Sequence, residues 1–410
     1  MFDIVRIRKI GIEVSNDDEV VIVGGGIGGL GAALALANTG LQVRLLERAP
    51  EFSEVGAGLQ VGPNAVRALD TLGVLESISE LAVFPEFARI SDAVTGEELT
   101  RLSLQHPMKT RFGYPYLVLH RNDVLTTLLE ACISHPLIGL DNNRTVKTIV
   151  DAGERVSVTC DNGAEYGAKL VIGADGLNSE VRKLIRIDEP VFSGHIAFRG
   201  TIPVEELPGE DRTDDVLLWI GPDIHLMQYP IRRGELYNQV AVFKSRRFVE
   251  GRDDWGNVDE LHERFAVAGH KVQAALPSVS RARAYPNYDK EPLSTFVSGR
   301  VVLIGDAAHP MLQYLGQGAC QALEDGLTLA NALGGTVAHP YEALARYDAI
   351  RVPHTTRCQR TARPWGESWH TDDPIAIAYR NRYFKSRDSS DYSEVEWLYN
   401  DRSSREGATK

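Results

Sequence analysis

Four cysteines in 410 residues, Cys132, Cys160, Cys320 and Cys358, stand far apart with no Cys-x-x-Cys pair. That spacing supports neither a disulfide framework nor a zinc site, so no metal is expected and a reduced, cytoplasmic thiol pool fits. Positive charge is also scarce. Lys and Arg number 44 against 56 Asp and Glu, a net charge of −12, the wrong sign for nucleic acid phosphates or an anionic membrane face. Small molecules are the partners that remain. The segment "MFDIVRIRKIGIEVSNDDEV" mixes charge into every short apolar stretch. Residues 1–19 therefore hold no signal-peptide core and read as an N-terminal extension, either loose or one strand. No period of about 20–50 residues appears, which sets repeat architectures aside.

Charge is missing altogether from "VVIVGGGIGGLGAALALANTG", residues 20–40, and Arg44 is the first to interrupt it. The stretch is long enough for a bilayer, but seven of its 21 residues are glycine, clustered as a turn, and a glycine-rich centre makes a poor isolated helix. Strand, turn and helix fit better. Val20 to Val23 form an apolar β run, Gly24-x-Gly26-x-x-Gly29 supplies the turn, and Leu30, Ala33, Leu34 and Ala37 recur at helical spacing. A second strand, "QVRLLER", carries Glu47, 21 residues after Gly26. That is where a dinucleotide fold binds a ribose hydroxyl, while the glycines let the backbone approach a pyrophosphate at the positive helix end. FAD and NAD remain equally compatible with this motif.

Further along, "EVGAGLQVGPNAVRALDTLGVLESI" reads as a glycine-rich loop and a helix near 63–75, and "FPEFARISDAVTGEELTRLSL" as a hairpin turning at Thr95-Gly96. Residues 193–245 are rich in strand signals, a helix is expected near 258–276, and the last forty residues read as a helical tail whose aromatics pack. The expected fold class is α/β: a Rossmann-like nucleotide-binding domain with an inserted β-sheet substrate domain. The boundaries expected are 20–86, 116–192 and 285–370 for the first, 87–115 and 193–284 for the second, and 371–410 for the tail.

Two more motifs end apolar strands. "KLVIGADGLNSEVR" places Asp175-Gly176 before a helix start, where Asp175 caps a turn or meets a ligand. "RVVLIGDAAHP" places Asp306 at a strand's carboxyl end, positioned to accept a ribityl or ribose hydroxyl. A helix starting near Gly318 would aim unpaired N–H groups at an anion, as the pyrimidine edge of a reduced flavin becomes. That favours flavin over nicotinamide.

In this order, the GxGxxG with Glu47, the Asp-Gly at 175–176 and the Gly-Asp at 305–306 resemble the single-component FAD-dependent aromatic hydroxylases over residues 20–370. "EVGAGLQVGPNA", "HLMQYP", "HPMLQYLGQGA" and "WGESWH" are most similar to the branch acting on 3-hydroxybenzoate, with salicylate and 6-hydroxynicotinate hydroxylases next. The resemblance implies the aromatic hydroxylase fold, FAD as cofactor, and NADH and dioxygen as co-substrates. Oxygen adds at flavin C4a, and one atom is passed to a small aromatic acid, converting 3-hydroxybenzoate to 2,5-dihydroxybenzoate. It also implies a homodimer, Arg121 at the FAD phosphates, Arg48 on the adenine side and Gln313 beside the substrate. Arg199 would meet a carboxylate or the reductant, and His309 either turns the chain or touches flavin. Alternatives are a hydroxylase of a larger phenolic and, in a different class, a flavin reductase or dehydrogenase that inserts no oxygen.

Attack on an aromatic ring is faster when its hydroxyl is ionised, so a proton acceptor is needed near neutral pH. His225 suits, with an ordinary pKa of about 6.5. On a strand, His225, Met227 and Tyr229 share one face; the bland reading is that they merely line a sheet.

Overall fold

The computed structural model describes residues 18–53, 58–207, 213–249, 251–252, 255–279 and 283–400. Residues 1–17 of the expected N-terminal extension, part of the loop that begins "EVGAG" and the end of the tail lie outside the described residues.

The β-branched run Val20–Val23 forms the strand Asp18–Val23, flanked by parallel strands Val43–Leu46 and Glu165–Gly173. Ile138–Asp141 and Val301–Leu303 extend it on either side as the parallel core of an eight-stranded sheet. Burial on both faces explains why these strands read as continuous apolar runs instead of alternating ones. The helix Ile27–Asn38 packs against Gly318–Leu333 through small residues. A Cβ on Gly326 would stand 2.8 Å from the Ala32 Cα, so even alanine there forces the helices apart. No helix among the described residues is long and apolar enough to cross a membrane, and all four cysteines are buried and unpaired.

Three expected helices differ. The one near 63–75 is two, Pro63–Thr71 and Leu75–Leu81, separated by a turn in which Gly73 has φ +77°. The one near 258–276 is Val258–Phe265 and His270–Val279, broken where Gly269 N donates to Ala93 O at 2.8 Å. After Asp175-Gly176 only the 3₁₀ turn Val181–Leu184 forms. The break at Gly269 satisfies a tertiary contact that periodicity does not record, while the one at Gly73 is closed locally by Gly73 N donating to Asp70 O at 2.9 Å.

A second sheet of seven strands runs in the order 283–289, 191–203, 236–244, 224–231, 216–221, 87–92, 98–103, and so takes in residues beyond 284. Thr95-Gly96 does turn the hairpin between Phe87–Asp92 and Glu98–Ser103. Ile196, Phe198, Ile224, Leu226 and Phe243 point to one face, where they bury Phe265 and Leu276 of the two covering helices. Each such side chain contributes about 1.5–3 kcal/mol. The alternate residues face the first lobe and the 30-residue helix Tyr341–His370. At 1.5 Å per residue that helix spans roughly 45 Å. In the tail, Phe384 is buried, but Tyr379 is 72% exposed and does not pack as expected.

The long helix is pinned to the first lobe by a buried carboxylate. Asp325 accepts from Gly305 N at 2.8 Å and from Arg351 Nε at 2.6 Å, and His309 Nε2 lies 2.6 Å away. His309 thus does more than turn the chain, since its Nε2 is committed to Asp325. Burial pushes the Asp325 pKa up, but His309 and Arg351 outweigh it and hold the group below its usual value. Asp325→Ala leaves a buried guanidinium without its carboxylate, so a loss of about 3–5 kcal/mol is expected in urea unfolding. Adding Arg351→Met should recover part of it. An unchanged midpoint in the single variant would show that the carboxylate holds nothing together.

Candidate active site

Three strand ends converge because their backbones bond to one another. Ala174 N donates to Val23 O at 2.8 Å and Ile304 N to Gly173 O at 2.9 Å. Arg182, buried beneath the second motif, reaches the third, donating to Ala307 O at 3.0 Å and Ala308 O at 2.7 Å. Between these ends lies a cavity of about 560 Å³, well within the size range of cofactor sites.

Gly24, Gly26, Glu47, Arg48, Arg121, Asp175, Gly176, Asp306 and Gly318 all line this cavity. Gly29 does not: a Cβ there would stand 2.0 Å from Gly24 O, so its smallness serves turn packing. Glu47 accepts from Gly25 N at 2.7 Å and from Ala49 N at 2.8 Å, which stands its carboxylate at the end of the second strand. Asp175 accepts from Ser179 Oγ at 2.5 Å and Glu180 N at 2.8 Å, so it caps its turn while also lining the cavity. Arg144 and Thr145 line it too, and no local pattern marks them.

The residues fit a dinucleotide. Helices Ile27–Asn38 and Gly318–Leu333 both begin at the cavity without a side-chain cap, leaving N–H groups for anionic oxygens. Arg48, Arg121 and Arg144 add positive charge. At Gly24, φ is +113° and a Cβ would meet Ala174 O at 2.3 Å, so only glycine lets the first and second motifs close on one another beside the cavity.

The remaining sequence-picked side chains stand on or against the second sheet. His225 and Tyr229 lie on the strand Ile224–Ile231, and Arg199 on Val191–Pro203 two strands away. Arg199 is in register with Val240, and Val240 with Met227, so Arg199 stands about 10 Å across the sheet from the midpoint of the His225–Tyr229 pair. It donates to Gln313 Oε1 at 2.5 Å and to Asn287 Oδ1 at 3.4 Å. Arg199 Nε is enclosed without a hydrogen-bond partner, and no carboxylate among the described residues pairs with this guanidinium. Tyr229 shares a hydrogen bond with Gln60, and burial pushes its phenol well up. His225, Tyr229 and Gln313 thus stand around Arg199, which shares their sheet face or bonds to them.

His225 is also part of a histidine column absent from the sequence reading. Its Nδ1 lies 2.7 Å from His370 Nε2 at the end of the long helix, and His195 stacks on His370 with centroids 4.4 Å apart. Tyr314 and Trp369 meet His225 edge-on at 5.8 and 5.4 Å. Strand parity puts His195 on the face of Arg199, but nothing local links positions 195, 225 and 370.

The expectation that His225 keeps an ordinary pKa is corrected. Burial, then His195 and Arg199, lower it to about 3. Burial likewise brings His195 to about 4 and His370 well below its usual value. All three rings are neutral at pH 7. The unfolded chain takes up protons below about pH 6.5 that the folded one refuses, so stability present above that pH drains away as pH falls toward 4 and then 3. The melting temperature should therefore drop between about pH 7 and about pH 5, and His195→Asn should flatten the drop. Equal slopes in variant and parent would mean that His195 titrates normally in the fold.

The family of the FAD binding domain matches residues 17–362. A 3-hydroxybenzoate 6-hydroxylase of Klebsiella oxytoca is 38% identical over 92% of this chain and 96% of its own length. One of Polaromonas naphthalenivorans is 36% identical over 93% and 96%. The solved structure of a salicylate hydroxylase substrate complex superposes with a TM-score of 0.81 at 26% identity, covering 96% of this chain and 99% of the other. With the cavity and its motifs, these matches establish that the chain belongs to the FAD-dependent aromatic hydroxylases and is a flavin monooxygenase.

Proposed function

We propose that this monooxygenase hydroxylates 3-hydroxybenzoate para to its hydroxyl, giving 2,5-dihydroxybenzoate, with NADH as reductant. The observation that carries the reading is the placement of Arg199, a guanidinium with only amide partners, on the same sheet face as the neutral His225. A small ring bearing a carboxylate and a phenol matches that pair. The named activity of two relatives, 38% and 36% identical, supports it.

FAD, when bound, takes up reducing equivalents and activates dioxygen. The glycine turn and the N-termini at Gly26 and Gly318 would hold its phosphates and pyrimidine edge, Glu47 a ribose hydroxyl, and Asp306 the ribityl chain. Arg48, Arg121, Asp175 and Gly176 complete that set. On the substrate side, Arg199 orients the carboxylate, and Gln313, held by Arg199, positions the ring without acting as a base. His225 accepts a hydrogen bond from the phenol. With its conjugate acid at about pKa 3, it polarises the O–H in the ground state and receives the proton only as attack makes the ring more acidic. Tyr229, kept protonated by burial, donates. Buried, unpaired cysteines support a reducing, cytoplasmic setting, and family likeness supports a homodimer.

A panel of hydroxybenzoates, salicylate and 6-hydroxynicotinate, scored by mass spectrometry for a product one oxygen heavier, tests the substrate. The best turnover should fall on 3-hydroxybenzoate; turnover of salicylate alone would replace this reading with the salicylate type. NADH oxidation with no oxygenated product from any member would point to a reductase. Arg199→Gln should raise KM for 3-hydroxybenzoate by about tenfold or more and leave that for NADH within about twofold; the opposite pattern would assign Arg199 to the reductant. Glu47→Ala should purify with less FAD, and full flavin content would take Glu47 out of the cofactor site.

A further inference from the structure

We propose that His370 is a positioning residue that decides which nitrogen of His225 meets the substrate hydroxyl. The inference rests on the hydroxybenzoate reading above. A neutral imidazole carries one N–H, so the nitrogen left for substrate depends on the hydrogen bond made by the other. The contact between His225 Nδ1 and His370 Nε2, 2.7 Å, accommodates one proton. If His225 Nδ1–H donates to His370, then His225 Nε2 carries a lone pair and can accept from a phenol. If His370 donates instead, the proton of His225 sits on Nε2, which can then only donate. The useful state is the first.

The surroundings hold the His370 ring in place, and because its Nδ1 is enclosed without a partner, the contact with His225 Nδ1 is the hydrogen bond its ring makes among the described residues. Its ring lies nearly coplanar with that of His225, tilted by 17° with centroids 4.9 Å apart, and stacks on His195 at 4.4 Å, tilted by 28°. Its backbone carbonyl accepts from Asp223 N at 2.9 Å, tying the helix end to the turn that precedes His225's strand. The titratable and charged groups around the pair are His195, Tyr314, Arg199, Lys244, Arg380 and Asp223. Among the described residues no carboxylate bonds to His225, so the role that an aspartate fills beside many catalytic histidines falls to a second imidazole. Being uncharged, it favours a hydrogen-bonded phenol in the resting complex. When the substrate hydroxyl does ionise, its O–H bond breaks and an N–H bond forms at His225 Nε2. The Nδ1 proton can then pass to His370 Nε2, moving the positive charge one ring farther from the substrate. No other bond changes.

The test uses the FAD-loaded enzyme with 3-hydroxybenzoate. His370→Phe keeps a stacking ring and His370→Met fills the space, and neither accepts from Nδ1 effectively; His370→Gln places an amide oxygen near the position of Nε2. Two readouts are taken: the pH dependence of kcat for hydroxylation, and the ionisation of bound substrate followed by ultraviolet difference titration of the oxidised enzyme without NADH. Phe and Met should lower kcat by about ten- to a hundredfold with KM within about threefold. They should raise the apparent pKa of the bound phenol by about one unit, a tenfold change in its ionisation. Gln should restore both. Wild-type behaviour in Phe and Met, or a Gln variant as impaired as Phe, would overturn the inference and leave His370 a packing residue. Flavin absorbance and melting temperature report on folding in every variant. A parent enzyme that hydroxylates no hydroxybenzoate would instead bring down the substrate reading itself.

Discussion

The molecule depends on one carboxylate that water does not reach. Asp325 is fully buried, and its cost of burial is offset only because a backbone N–H, an imidazole and a guanidinium meet it from two other segments. Those segments are the loop of the third strand-end motif and the long C-terminal helix, with Asp325 itself on the helix that begins at Gly318. The geometry of the cofactor cavity and the position of the second sheet are thereby set by one cluster. Removing a partner from such a cluster costs more than its net contribution, since the remaining charge is stranded in low dielectric.

From that cluster the long helix runs to His370, so the element that bonds to Asp325 through Arg351 ends against His225. Arg351 and His370 are about five turns apart on it. The nucleotide-binding lobe and the second sheet are bridged by packed side chains along this helix, including Ala362 and Trp369 against Leu218 and Ile220. Arg199 makes the shorter connection, donating from the sheet to Gln313 on the loop after the third motif.

How much of this was legible follows from how local each signal is. The glycine turn, Glu47 and the two strand-end Asp motifs each occupy a few consecutive residues, so the cavity they line was readable from spacing. Alternation placed His225, Met227 and Tyr229 on one face because period two is rigidly enforced by the pleat. Helix breaks at Gly73 and Gly269 were not readable, because periodicity continues across them and the deciding contact at Gly269, with Ala93, lies far off in sequence. The His225–His370 contact spans 145 residues and leaves no pattern in either segment. The His225 pKa was misjudged for a related reason: an unperturbed value presumes water, and the strand is enclosed by the helix end, Tyr314 and Trp369.

The cysteines have a further consequence. Cys320 sits in the first turn of the helix that begins at the cavity with Gly318, in a monooxygenase that handles activated oxygen, and sulfur is oxidised chiefly as thiolate. Burial pushes the Cys320 and Cys132 thiols up to about 12 and raises Cys160 and Cys358 as well. Stray oxidants escaping a futile turnover therefore meet protonated, sheltered sulfur, and the protein is armoured against self-inflicted damage by the same packing that holds it folded.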